Sequence, residues 1–346
     1  MSAVLCAGPL RQGVLSVRLG RIVGTGAYVP ARQVDNTEVC RTLSFGPEEV
    51  YRRTGIRTRR WADPDQAASD LAERAARQAL ESADLAASSV DTIVLSTTSP
   101  DMLLPSTACL VGAKLGVRGA AAFDVAASCS GFLYALSMAD RLIRCGMSRC
   151  CLVAAAEVKS RFLDQRDAAT AVLFADGAGA ALVVADDMVG PEPRGILGIR
   201  LYADGARHDL ISLEAGGSRV PLTAETVREG RHSLRLKGGP LFRVAVRNLA
   251  QAVKDLVKEF GVTHSDLRWA VFHQANGRLL SALAARLSLP PCAAFSVIEG
   301  MGNASSASLP VALDQAVRQG RVSAGDLGLL GAFGGGLTWG TALVRW

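Results

Sequence analysis

Three residues of this 346-residue chain stand in settings that could support covalent chemistry. Cys129 lies in Asp124-Val-Ala-Ala-Ser-Cys-Ser-Gly-Phe132, where a short apolar run turns abruptly into a helix that opens with small residues. A thiol at a helix N-terminus feels the positive end of the helix dipole, which favours thiolate and predicts a lowered pKa. Ser128, Ser130 and Gly131 leave room for an acyl chain to approach. His273, in Val271-Phe-His-Gln-Ala-Asn276, directly follows an apolar strand, a common place for active residues in open α/β sheets. Asn303, in Gly300-Met-Gly-Asn-Ala-Ser-Ser306, occupies a glycine-punctuated turn before a helix and by itself reads as an N-cap.

A Cys-His-Asn set has a specific chemical meaning. The cysteine attacks a thioester and becomes an acyl-enzyme. A neutral imidazole and an amide then both donate to the carbonyl oxygen of a second thioester. If that thioester is malonyl, loss of carbon dioxide leaves an enolate that the two donors stabilise without a strong base. The set therefore points to decarboxylative carbon–carbon condensation. The tail Gly331-Ala-Phe-Gly-Gly-Gly-Leu-Thr-Trp-Gly340 adds three consecutive glycines whose N–H groups could approach a ligand as an oxyanion hole, or simply form a tight turn. Gly24-Thr-Gly26 lacks the third glycine of a dinucleotide fingerprint, with Val29 in its place, so no nucleotide cofactor is expected.

The elements that must position these residues alternate short apolar runs with amphipathic stretches, the pattern of an α/β layered protein. Strands are expected within Arg21–Gly24, Thr92–Ser96, Cys151–Ala155, Ala178–Val184, Trp269–Phe272 and Leu327–Ala332. Helices are expected over Ser69–Ser82, Gly131–Cys145, Leu241–Phe260, Arg278–Leu287 and Ser308–Gln319. Val189–Gly239, rich in Gly, Pro and Arg, reads as an irregular connection. A weak internal repeat sets Cys129 on Asn303, Asp140 on Asp314, Arg144 on Arg318 and Gly146 on Gly320 at one constant offset, and, at a slightly different one, Thr97 on His273. Two copies of one unit, residues 21–188 and 189–346 after an extension over 1–20, would bring matching loops to one central cleft.

Composition narrows the class. Half the residues are hydrophobic and a fifth charged, which suits a packed α/β protein. The charge of +6 concentrates partly in Arg52, Arg53, Arg57, Arg59 and Arg60, without the interleaved aromatics of a nucleic-acid surface. The cysteines form no Cys-x-x-Cys pair and stand at no zinc spacing from the histidines, so no metal site is expected. Most of them read as small core residues of a protein kept in a reducing cytoplasm. The first twenty residues, cut by Gly8, Pro9, Arg11, Gly13 and Arg18, read as neither a membrane span nor a secretory signal.

Together the motifs around Cys129, His273–Asn276, Gly302–Ser305 and Phe333–Gly340 resemble those of β-ketoacyl-acyl-carrier-protein synthase III, over about Arg21 to Trp346. The resemblance implies an α/β, thiolase-like αβαβα layered fold of two pseudo-symmetric halves, a homodimer, and the priming of fatty-acid synthesis with no cofactor. An acyl-coenzyme A would load Cys129, and malonyl-acyl-carrier protein would then condense with it. It further implies backbone amides of Cys129 and Gly335 as the oxyanion hole, Phe333 beside the thiol, and Asn276 in the substrate site. Arg278 falls in the carrier-protein docking patch, Arg53 at the mouth of the coenzyme A tunnel, and Leu104 where the partner copy inserts a chain-length gate. Glu49 and Ala168 depart from the aromatic and basic residues that cover the adenine in that family. The departures leave open a specialised pathway, such as polyketide or biotin-precursor synthesis, with an unusual acyl donor. Acyl transfer without carbon–carbon bond formation would not need His273 and Asn303, and a scaffold role would not need Cys129.

Overall fold

Long runs of apolar and small residues with few interruptions make strands that are buried on both faces, as sheets covered by helices require. The structure, a computed structural model, describes residues 18–186, 194–290 and 293–346. The first sheet holds β1 (Leu19–Tyr28), β2 (Thr92–Ser96), β3 (Ala121–Val125), β4 (Cys150–Val158) and β5 (Asp176–Asp186), in the order β1-β5-β4-β2-β3. The second holds β6 (Gly195–Ala203), β7 (Trp269–Phe272), β8 (Ala294–Phe295), β9 (Leu327–Gly334) and β10 (Thr338–Arg345), in the order β6-β10-β9-β7-β8. Strand sense matches too: β2 runs parallel to β3 and β4 while β5 is antiparallel to β4 and β1, and β7, β8, β9, β10 and β6 repeat this. Every residue of β4 and β9 is buried.

The helices that matter to the site are α1 (Pro47–Thr54), α2 (Ala68–Ser82), α3 (Thr107–Leu115), α4 (Gly131–Arg144), α5 (Gly238–Glu259), α6 (Gly277–Leu287) and α7 (Ser308–Arg318). The apolar faces of α4 and α7 share one core with both sheets, through Phe132, Leu136, Leu309 and Leu313. Helices α2 and α3 cover the outer face of the first sheet, and α5 and α6 that of the second. The result is the expected αβαβα layering. Gly179 on β5 lets α7 come close, since a Cβ there would stand 2.8 Å from Pro310.

The repeat is physical at the C-terminal ends of the central helices. Arg144 pairs with Asp140 at 2.8 Å and Arg318 with Asp314 at 2.8 Å. Both carboxylates are buried and reach β1: Asp140 accepts from the Gly20 amide, Asp314 from the Thr25 hydroxyl. Gly146 and Gly320 follow with positive φ of 72° and 67°. At the N-terminal ends the register slips, because α4 has 14 residues and α7 has 11. Each is entered through a single 3-10 turn, Ser128–Ser130 and Ser305–Ala307, so Cys129 corresponds in the fold to Ser306, and Asn303 stands just before that turn.

Other expectations are corrected. The strand foreseen at Arg21 begins at Leu19, inside the supposed extension; its other residues up to 17, the boundary at 188–189, Cys6 and Cys292 lie outside the described residues. Val189–Gly239 contains β6, whose place is fixed by pairing with β10 and not by its own glycine-broken pattern. Gly24 and Gly26 lie within β1, where added side chains would collide with the backbone of α2, so close packing accounts for them. Cys109 and Cys145 are exposed and not core residues. Among the described residues, no helix is long and apolar enough to cross a membrane.

Asp314→Ala should remove the partner of both Thr25 and Arg318 and lower unfolding stability by about 2 kcal/mol, measured by denaturant titration.

Candidate active site

Cys129 follows β3 through a turn in which Ser128 takes a φ of 49°, unusual for a residue with a side chain. The turn lifts the thiol to the start of α4, where Gly131 lies so close to Ser96 that no larger residue fits. Sγ has Ser305 Oγ at 3.4 Å and Ser128 Oγ at 3.9 Å. The thiol is buried, and that burial pushes its pKa up; the two hydroxyls and the Lys159 ammonium pull the other way without overcoming it. This corrects the expected lowered pKa. Cys129 stands in the 3-10 turn ahead of α4, and loss of water around a thiolate outweighs the dipole there.

His273 leaves the end of β7 with its amide held by Gly331 O at 2.8 Å. Its Nδ1 lies 2.6 Å from Ser308 Oγ, the first residue of α7, and the Gln274 amide donates to that same oxygen at 3.1 Å. With one lone pair so occupied, the Ser308 hydroxyl can give its proton to Nδ1, which leaves the proton of the neutral ring on Nε2. Burial drives the pKa of His273 down to about 4, so the ring is neutral near pH 7.

Asn303 is fixed by its own backbone and side chain. It bridges Phe174, with its amide on Leu173 O at 2.9 Å and its carbonyl accepting from Ala175 at 2.9 Å. Oδ1 accepts from the Ser305 amide at 2.9 Å, which orients the carboxamide, and Nδ2 donates to Ala275 O at 3.3 Å. One Nδ2 proton remains for a ligand.

Cys129, His273 and Asn303 line one cavity of about 260 Å³, with Phe333, Gly334 and Gly335 at the end of β9 beside them. Its remaining wall is apolar, chiefly from α5 and the Ala168–Phe174 segment, and it runs out to Arg53 and Asn276. Beyond lies a mouth of about 340 Å³ lined by Arg53, Arg243, Asn276 and Arg278. Asn276 caps α6 by accepting from the Arg278 amide and ties to Arg53 O at 3.3 Å. Arg243 was missed by sequence reasoning; it lies one turn into α5, where nothing in the local pattern separates it from a solvated helix face.

Three positions singled out by the resemblance have these places in the fold. Glu49 holds Arg52 and Arg53 at 2.6 Å each, while Arg53 also stands 4.5 Å over the Phe45 ring. The mouth arginine is therefore already engaged by a carboxylate. Ala168 lines the cavity and contributes no cation there. Leu104 is 85% exposed, next to Leu103 at 90%, and is not among the residues lining the cavity of its own chain.

The chain is similar to known proteins over most of its length. Residues 257–346 match the family described as 3-oxoacyl-[acyl-carrier-protein (ACP)] synthase III C terminal, and residues 123–205 match 3-oxoacyl-[acyl-carrier-protein (ACP)] synthase III. The chain is 46% identical to a beta-ketoacyl-[acyl-carrier-protein] synthase III of Rhodospirillum centenum, over 94% of this chain and 98% of that protein. The crystal structure of 3-oxoacyl-[acyl-carrier-protein] synthase III from Aquifex aeolicus superposes with a TM-score of 0.85 at 38% identity, covering 94% of this chain and 100% of that one. The priming beta-ketosynthase of the R1128 polyketide biosynthetic pathway does so with a TM-score of 0.87 at 34% identity, covering 97% and 98%.

Two outcomes follow from burial of these groups. Iodoacetamide alkylation mapped to Cys129 should keep accelerating as pH rises past about 8.5, with no plateau near neutrality, since the thiol titrates above its usual range. Between pH 6.5 and 4 the unfolded chain takes up a proton at His273 and the folded chain does not, so stability falls as pH drops through that window. The loss attributable to this residue is about 3 kcal/mol, and urea titrations of His273→Gln should lack it.

Proposed function

The chain belongs to the 3-oxoacyl-[acyl-carrier-protein] synthase III family, and from that premise we propose that Cys129, His273 and Asn303 carry out its reaction. The protein is an acyltransferase that condenses an acyl-coenzyme A primer with malonyl-acyl-carrier protein and so initiates fatty-acid synthesis. What supports the assignment of residues is the convergence of the three side chains on one apolar cavity that leads to a cationic mouth.

In the first half-reaction the Cys129 sulfur attacks the primer's thioester carbonyl, with the backbone N–H groups of Cys129 and Gly335 receiving the developing oxyanion. The coenzyme A thiol leaves with the proton. The malonyl thioester then enters by the same cavity, and its carbonyl oxygen takes hydrogen bonds from His273 Nε2 and Asn303 Nδ2. Carbon dioxide departs, the enolate carbon attacks the acyl-Cys129 carbonyl, and collapse of that adduct releases the β-ketoacyl product and the Cys129 thiolate, which takes up a proton from solvent. Neutral donors suit this step, because a charged imidazolium would hold the enolate at too low an energy to attack. No step of this reaction requires a cofactor.

The exposed arginines Arg53, Arg243 and Arg278 form the docking surface for the phosphate of the prosthetic arm and the acidic carrier protein. A second copy of the chain covers the exposed Met102–Leu104 apolar loop and takes Leu104 toward its own acyl site, and the protein acts in the cytoplasm. A specialised pathway whose primer arrives on another carrier is favoured by one observation, the engagement of Arg53 by Glu49, which weakens the grip on the nucleotide end of coenzyme A.

Asn303→Ala should still acylate Cys129, seen by intact mass, while condensation falls by about 10²-fold or more. An unchanged condensation rate would remove Asn303 from the enolate site, and an acyl group found elsewhere than on Cys129 would refute the nucleophile.

A further inference from the structure

Against Cys129, and sharing no lining residue with the cationic mouth, lies a second chamber of about 200 Å³ that has Cys129, Phe174, Ile211 and Gly335 in common with the first cavity. Its character differs. Thr98, Ser128, Lys159, Ser212 and Ser305 line it together with a few apolar side chains, and it opens at Thr98 and Leu213. Lys159 has only 7% of its side chain exposed, and its ammonium lies 2.6 Å from Thr98 Oγ1 and 3.0 Å from Glu157 Oε2. An ammonium carries three donors. Among the described residues, Thr98 and Glu157 are its hydrogen-bond acceptors and the Phe162 ring centre stands 5.9 Å off, beyond hydrogen-bond reach, which leaves one N–H for a ligand in the chamber.

Resting on the assignment of Cys129 as the nucleophile, with its acyl group lying in this chamber, we propose that Lys159 selects short acyl groups bearing an oxygen acceptor at their far end. The pantetheine arm fills the apolar cavity between the mouth and the thiol, so the acyl carbons must lie on the opposite side of Sγ, in the chamber. Loading is thioester exchange: Cys129 Sγ bonds to the acyl carbon, the bond to the donor sulfur breaks, and the thiol proton ends on the leaving thiol. A methyl-terminated chain would place its end against a buried ammonium with a donor unpaired, which is costly. A hydroxyl, keto or carboxylate oxygen would take that donor. The Glu157 carboxylate beside Lys159 cancels most of the pair's net charge, so recognition is by hydrogen bond as much as by charge.

The test presents butyryl, 3-hydroxybutyryl and succinyl groups, each as its N-acetylcysteamine thioester, which has no nucleotide end, and follows acylation of Cys129 by peptide mass. At least one oxygen-bearing group should load ~10-fold faster than butyryl or better. The hydroxyl and carboxylate arms show whether the acceptor is neutral or anionic. In Lys159→Met the ratio should collapse to about one or invert, a change of preference that a merely structural role would not produce. If that variant does not fold, Lys159→Met combined with Glu157→Gln removes the pair together, and the wild-type ratio stands by itself. Butyryl loading as fast as both oxygen-bearing groups would overturn the selection while keeping the nucleophile. Absence of any label on Cys129 would overturn both.

Discussion

A buried carboxylate near the end of β4 joins the two halves at the thiol. Glu157 is fully buried and accepts from Ser99 Oγ at 2.7 Å in its own half and from Ser306 and Ser305 Oγ at 2.8 and 3.2 Å in the other. Burial alone would raise its pKa, but the Lys159 ammonium and these hydroxyls outweigh that and hold it ionised. Loss of one member of such a buried pair commonly costs about 3–5 kcal/mol because the other charge is stranded. The 3-10 turn at Ser305, the position of Ser305 Oγ against Cys129, and hence the spacing of Asn303 from the thiol all depend on this anchor.

Around it the site is built from neutral groups. His273 is kept uncharged by burial, Asn303 is oriented by the Ser305 amide, and the thiol faces an ion pair whose two charges act on it in opposite directions. Such a site offers directional hydrogen bonds with little net field. This fits a reaction whose difficult species is an enolate that must be both stabilised and left reactive. The exposed cations Arg53, Arg243 and Arg278 stand at the mouth, where solvent screens them from Cys129.

Much of this was legible in the sequence, for physical reasons. The strands Thr92–Ser96 and Trp269–Phe272 were read to the residue, because fully buried strands are continuous apolar runs bounded by polar ones. Cys129, His273 and Asn303 could be singled out by their turns and by the repeat. The strand β6 could not, because its glycines hide a pattern that only the ladder with β10 stabilises. The repeat also misled at one point: aligned Asp and Arg fix the helix ends, but nothing in the sequence marks the three-residue difference at their starts. Nothing local marks Lys159, because a lysine after a strand is ordinarily solvated; its burial depends on Glu157, two residues earlier on β4, and on Thr98, in the loop after β2. The direction of the Cys129 pKa cannot be read from local geometry, because burial is a property of the whole fold.

The burial of Cys129 also bears on how long the protein lasts under oxidative stress. Peroxide reacts with thiolate and needs access, so a thiol that is enclosed and titrates high is slow to enter the path from sulfenic to sulfinic acid. Cys109 and Cys145 are exposed on the surface and meet oxidants first. They lie on α3 and just after α4, and neither lines the cavity that holds Cys129. Durability and a slow resting thiol are thus one property of the same enclosure.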